Sequence, residues 1–244
     1  PLPVFGHVPM VLGKDRARLS KRHGATSVTA YREMGFLPEA MINYLVRLGW
    51  SHGDQEIFTR EELIEVFNLE AIGRAAGVFD PEKLLALNAD HIKAAPPGRV
   101  LEALRPFTAA RGVDLAANPA AEKVVLSLAP RSKTLVEMAD QALFYYQEEV
   151  AYDPDAARKF LTVDALPALK TLAARLAALE DYTEQTLEEA FKAVMAETGL
   201  KLGKIAQPLR AALTGRSTSP GVFDVIAVLG REESLGRLRD QIAA

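Results

Sequence analysis

Arg16, Arg18, Lys21 and Arg22, followed by His23, crowd one short segment with no acid among them. Leu19 sits inside that segment as an apolar anchor, and Ser20 adds a small hydroxyl. Lysine offers a compact, mobile ammonium, while arginine presents a planar fork that can grip a second anionic group. A displacement at a phosphate spreads negative charge over several oxygens, and cations placed beside them lower its barrier. The segment therefore suits a polyphosphate undergoing reaction. A cation-rich turn in solvent has the same composition, so both readings stand at this point.

Two further basic groups follow: Arg131 with Lys133, and Lys201, Lys204, Arg210 and Arg216. Splayed single-stranded bases are held by stacking on planar groups and by hydrogen bonds to their edges. Arg210 offers such a plane, Phe223 an apolar face, and the turn Ser219-Pro220-Gly221 free backbone groups. Ser219-Pro220 equally suits a helix start, and Val222 and Phe223 equally suit a core.

Other chemistries find little support. The four histidines have no metal-site spacing and no thiolate to help them, because the chain has no cysteine. His52 and His91 are expected at the surface or as caps. The acids at 61–65 and 184–189 fall on helix faces or first turns. Phosphate loops, dinucleotide fingerprints and nucleophile elbows are absent. As an isolated enzyme the chain reads as incomplete, and its start at Pro1 reads as that of a fragment.

The chain has 244 residues, 49% of them apolar, enough for a buried core. Its net charge of −3 is wrong for a general nucleic-acid coat protein, so any polyanion site must be a local patch on an acidic body. The lack of cysteine suits a reducing compartment such as the cytoplasm. No apolar run reaches the length of a membrane span.

The elements that must position these residues read as helices. Residues 1–12 suit a short strand and turn, and strand-like alternation nearly vanishes after residue 30, so the class is mainly α. Leu37-Pro38-Glu39 opens a helix expected to carry Met41, Ile42, Leu45, Val46 and Leu48 on one face. Thr59 and Glu62 form a capping box. Asp80-Pro81, Asn118-Pro119, Asp153-Pro154 and Ser219-Pro220 each pair an N-cap residue with proline at the first helical position. Leucines at helical spacing mark 164–179, and another helix runs from Tyr182-Thr183 to Gly199. Ala94-Ala95-Pro96-Pro97-Gly98 and Tyr152-Asp153-Pro154 are the breaks, giving three units, 1–93, 94–151 and 152–244.

Arg18-Leu19-Ser20-Lys21-Arg22 resembles the "KMSKS" signature of class I aminoacyl-tRNA synthetases in its glutamyl form, with arginine in place of the leading lysine. The approach Phe5-Gly6-His7-Val8-Pro9-Met10-Val11-Leu12-Gly13 and the continuation His23-Gly24-Ala25-Thr26-Ser27-Val28 are similar to the same family. Tyr31 to Ala40 and Asn43 to Ser51 resemble its stem-contact region, with Tyr44 and Trp50 read as packing residues. Residues 201–230, from Lys201-Leu202-Gly203-Lys204 through Gln207-Pro208-Leu209-Arg210 and Ser219-Pro220-Gly221-Val222-Phe223 to Gly230, are similar to the core of the helical anticodon-binding domain of bacterial glutamyl-tRNA synthetases.

The resemblance implies a KMSKS loop and stem-contact region over 1–93 and an all-helical anticodon-binding domain of two subdomains, 94–151 and 152–244. It implies that Arg18, Leu19, Ser20, Lys21 and Arg22 bind ATP, with Lys21 stabilising its phosphates as glutamyl-adenylate forms. Arg131, Arg210, Ser219, Pro220, Val222 and Phe223 would meet the anticodon. ATP and magnesium would be held mainly by a part preceding Pro1, the partners would be glutamate and its tRNA, and the protein would be a monomer with no membrane attachment. The other reading is a free-standing helical tRNA-binding module without catalysis, for which an adenylation-type loop would have no use.

Overall fold

Several helix starts follow local capping chemistry. The computed structural model describes residues 2–3, 5–20, 22, 27–115, 120–147 and 149–243, and it is mainly helical. The first helix, α1, spans Val28–Glu33, and α2 spans Pro38–Arg47 with the proline in its first turn. Before α3 (Arg60–Val66), the Thr59 hydroxyl accepts from the Glu62 N–H and the Glu62 carboxylate accepts from the Thr59 N–H at 2.7 Å. That is the reciprocal pairing expected from the spacing. The Asp80 carboxylate accepts from the Glu82 N–H to open α4 (Pro81–Ala94), and α5 (Pro97–Ala109) follows across the Pro96-Pro97 break. The start expected at Asn118-Pro119 lies outside the described residues. Beyond it come α6 (Ala121–Leu128), a 3-10 turn at Ala129–Arg131 and α7 (Leu135–Ala142). Asp153 caps α8 (Pro154–Phe160), α9 spans Leu166–Ala178, and Thr183 caps α10 (Glu184–Thr198). The last two helices are α11 (Leu202–Thr214) and α12 (Val222–Ala243), the latter interrupted at Gly230 with φ 75°.

These elements form two compact units, Pro1–Phe107 with Ala129–Met138 and Thr108–Leu128 with Ala139–Ala244. In the first, α2 packs on α3 and α4, and the 3-10 turn packs on α4. One core gathers Tyr31, Phe36, Met41, Tyr44 and Phe79, and a second gathers Trp50, Phe58 and Leu63. Two buried amides stitch this unit together. Asn88 accepts from the Leu37 N–H at 2.8 Å and donates to the Lys133 carbonyl at 2.6 Å. Asn43 donates to the Glu56 carbonyl at 3.0 Å and accepts from the Phe58 N–H at 2.9 Å. In the second unit α12 packs on α9, α10 and α11, with α8 against α11 and α6 against α12.

Four sequence expectations change. The strand expected within 1–12 is replaced by isolated bridges, where Leu12 pairs antiparallel with Arg18 and parallel with Val78. A turn begins at Gly13, so no ladder extends from Leu12. On α2 the buried face is Ala40, Met41, Asn43 and Tyr44, while Ile42 and Leu45 are exposed. The buried Asn43 rotates that face away from the apolar stripe. His91 is buried, not a surface residue or cap, and its Nε2 donates to the Asn43 carbonyl oxygen at 2.9 Å. Burial holds its pKa below the usual histidine value. Finally, α12 begins at Val222, two residues after Pro220, because the Ser219 hydroxyl is engaged elsewhere. Among the described residues no helix is long and apolar enough to cross a membrane.

Candidate functional site

The first basic segment rests on a backbone pin. The Leu12 N–H donates to the Gly77 carbonyl at 2.8 Å, and the Leu12 carbonyl accepts from the Phe79 N–H at 2.7 Å. Gly77 itself lies so close to α2 that a Cβ would stand 2.3 Å from the Leu48 oxygen. The chain then turns tightly. The Gly13 N–H reaches the Ala17 carbonyl at 2.8 Å, and Arg16 takes the left-handed conformation with φ 60°. The Asp15 carboxylate accepts from the Ala17 N–H at 3.0 Å. The Leu19 N–H returns to the Val11 carbonyl at 2.9 Å, and the Leu19 side chain packs half-buried against the Tyr31–Phe79 core.

Arg18, Ser20 and Arg22 are exposed, so the loop presents polar groups outward from an apolar anchor, as the sequence implied. Arg22 stands 3.3 Å from Asp15, an exposed pair that holds it only loosely. Lys14 reaches Asp80 at 3.2 Å and Glu82 at 3.3 Å, and hydrogen bonds to those carboxylates raise its pKa. Asp80 is lowered, first by the Glu82 N–H it accepts from. Lys21, His23 and Gly24 lie outside the described residues. Also among the described residues, no three histidine or acidic side chains are grouped to hold a metal.

Arg131 sits exposed at the end of the 3-10 turn in the same unit. The chain just after it is tied at three points. Lys133 accepts from Asn88, the Lys133 N–H donates to Glu137 at 2.8 Å, and the Leu135 N–H donates to the Gly35 carbonyl at 2.9 Å. Gly35, with φ 83°, permits that approach, since a Cβ would lie 2.6 Å from the Val136 nitrogen.

In the second unit, the Arg210 Nε donates to the Ser219 hydroxyl at 2.9 Å, and that hydroxyl donates to the Pro220 carbonyl at 2.9 Å. Ser219, Pro220 and Val222 are buried, and Phe223 is half-buried, packing edge-on against Phe191 at 4.9 Å. The structure thus joins Arg210 to the turn and builds Val222 and Phe223 into the helix packing. Arg216 turns away from this contact and donates to the Asp140 carbonyl at 3.2 Å. A groove of about 880 Å³ flanks the N-terminal half of α11, lined by Lys159, Phe160, Asp164, Lys201, Lys204 and Gln207, among others. No side chain caps α11 and no acid occupies its first turn, so its positive end adds to the lysines. Gly203, Gln207 and Arg210 follow at steps of four and three, which places them on one face. Lys159 and Phe160 were not singled out in the sequence, and Gln207 stood there only as part of a family pattern. The helical step from Arg210 could have found Gln207, but the other two come from a different helix.

Two family models match the chain. The anticodon binding domain matches residues 99–242, and the catalytic domain of class I tRNA synthetases for glutamate and glutamine ("E and Q") matches residues 1–86. The glutamate–tRNA ligase of Geobacter sulfurreducens is 55% identical over 243 residues, covering 100% of this chain and 52% of the relative. That of Desulfosudis oleivorans is 56% identical over 241 residues, covering 99% and 52%. A crystal structure of a glutamate tRNA ligase from Elizabethkingia meningosepticum, in complex with its amino acid, matches with TM-score 0.84 and 25% identity, covering 100% of this chain and 52% of that one. The chain therefore belongs to the anticodon binding domain family, whose model takes in more than half of it, and it matches the C-terminal part of glutamate–tRNA ligases. It spans about half the length of the curated relatives it matches.

Proposed function

We propose that this chain is the tRNA-reading part of a glutamate–tRNA ligase, a cytoplasmic enzyme of translation that joins glutamate to its tRNA at the expense of ATP. The observation that carries this reading is the 55% identity to such a ligase across 243 residues, which takes in both the basic loop and the α11–α12 turn. The three segments 1–93, 94–151 and 152–244 then serve as the KMSKS loop with stem contact and two anticodon-binding parts. The whole protein acts as a monomer.

In the first reaction a glutamate carboxylate oxygen attacks the α-phosphorus of ATP, and pyrophosphate leaves. Lys21, with Arg18, Leu19, Ser20 and Arg22 around it, steadies the phosphate oxygens as charge builds on them. The pinned turn at Leu12 supports this role, because it gives exposed cations a fixed base. Magnesium would enter with ATP, held largely by phosphate oxygens and water. In the second unit Arg210 would present its fork to a splayed anticodon base, with Ser219 and Pro220 fixing the turn and Val222 and Phe223 its apolar wall. Arg131 would meet another anticodon base from its exposed turn.

The test is binding of this chain to a glutamate tRNA transcript and to one with an altered anticodon. Tighter binding of the first, weakening steeply with salt as phosphate contacts release counterions, is the expected result. Equal affinity for both would overturn the anticodon role.

A further inference from the structure

Five backbone oxygens at and just beyond the C-terminal end of α11 have donors of different origin. The Arg210 carbonyl accepts from the Thr214 hydroxyl at 2.8 Å, and that of Ala211 from the Gly215 N–H at 2.9 Å. The Ala212 carbonyl accepts from the Tyr152 hydroxyl at 3.0 Å. The Gly215 carbonyl accepts from the Asp153 N–H at 2.8 Å. The Leu213 carbonyl accepts from a terminal guanidinium nitrogen of Arg237 at 2.6 Å. Helix ends leave such carbonyls without intrahelical partners, so a buried end holds its shape only while outside donors are supplied.

Arg237 supplies more than one bond. It is only 5% exposed. Its other terminal nitrogen donates to the Gln147 carbonyl at 3.1 Å, and its Nε donates to Glu233 at 2.5 Å. One planar group thus ties together the segment before α8, the last turn of α11 and the second half of α12. That half is separated by the Gly230 interruption from the half carrying Val222 and Phe223. The positive charge also sits at the negative end of α11. Arg210 lies one turn before Leu213, and Ser219 lies six residues after it, so the end of α11 sets the register between these two partners.

We propose that Arg237 is a positioning residue for the Arg210–Ser219 contact, and through it for discrimination among anticodons. This rests on the anticodon reading of the α11–α12 turn. A lysine at the same place keeps the charge but loses the fork that spans two carbonyls.

The experiment compares this chain with its R237K and R210A variants. The probes are an RNA hairpin carrying the glutamate anticodon stem-loop and the same hairpin with its anticodon changed. Circular dichroism confirms that each variant is folded. For folded R237K, the affinity for the first hairpin should fall about 10-fold, the scale of one base contact, toward the value for the second. The affinity for the changed hairpin and its salt dependence should stay as in the parent. A folded R237K that discriminates like the parent overturns the inference, and if R210A alone loses discrimination, the anticodon reading stands without it. A parent that does not discriminate sinks the anticodon reading itself and the inference with it. Should R237K be unfolded, E233A removes the acceptor of the exposed arm of the clamp alone. A two- to threefold loss of discrimination is then expected, and none would overturn the inference.

Discussion

The basic loop and the α11–α12 turn are both short connections for which we propose an anionic partner, but they are built in opposite ways. At the loop the backbone is fixed, through Leu12 against Gly77 and Phe79, while the described cations Arg18 and Arg22 stand in solvent. At the turn the side chains are fixed: Arg210 on Ser219, and Arg237 buried across two carbonyls. The difference matches the two proposed tasks. Charge that moves during a reaction is followed by mobile cations on a rigid base. A base edge is read by a fork whose position does not vary.

The comparison can be broken first at Lys21. In the complete protein, Lys21→Ala should slow adenylate formation by about 10² or more while leaving tRNA affinity nearly unchanged. Pre-steady-state measurement of adenylate against a tRNA titration separates the two, and an unaltered rate would remove the loop from the chemistry.

Gly215→Ala should be the most damaging change at the turn. Its φ is 70°, and the added Cβ would lie 2.1 Å from the Ala151 carbonyl oxygen, a backbone atom with little room to retreat. A loss of about 1–3 kcal/mol in urea unfolding is expected. Gly221→Ala, whose Cβ would meet the movable Asp224 carboxylate, should lose much less. Equal effects would mean that the turn is not rigidly held.

Arg210→Ala should weaken binding of the glutamate tRNA by about 1–3 kcal/mol, measured against the altered anticodon. An equal loss for both RNAs would make Arg210 a phosphate contact and erase the contrast with the loop.

The smallest effect is with pH. Among the described residues, His7, His52 and His91 lie in the first unit, and of these His91 is the buried one with a lowered pKa. Below about 6.5 the unfolded chain takes up a proton that folded His91 resists. Its stabilising contribution is therefore complete above that pH and declines as pH falls toward the lower folded value. From pH 7.5 to 5.5, amide protection factors (exchange corrected for its intrinsic pH dependence) should fall around His91 and Asn43 more than around Arg237, and His91→Gln should flatten that dependence.

What was legible in the sequence was local. Thr59 with Glu62, Asp80-Pro81 and Asp153-Pro154 start helices by contacts within three residues, so nothing distant could override them. Ser219-Pro220 carried the same signature, yet Arg210, nine residues away, takes the Ser219 hydroxyl and the helix starts later. The α2 face was misjudged because its buried centre is a polar residue, Asn43, whose partners at Phe58 and His91 are not adjacent in the chain. Arg237 reads as one more charge on a solvated helix; only its partners at Leu213 and Gln147 make it a clamp. The candidate site was legible where a family pattern supplied the spacing, as at Arg18–Arg22 and Arg210. The groove with Lys159 and Phe160 was not, because it joins residues brought together only by packing.

The most direct test of the central claim is charging of glutamate and glutamine tRNA transcripts by the complete protein with ATP and labelled glutamate. The account predicts that glutamate tRNA is charged, that changing its anticodon lowers the efficiency, and that this 244-residue chain alone binds the tRNA without charging it. Failure of the complete protein to attach glutamate to that tRNA would contradict it.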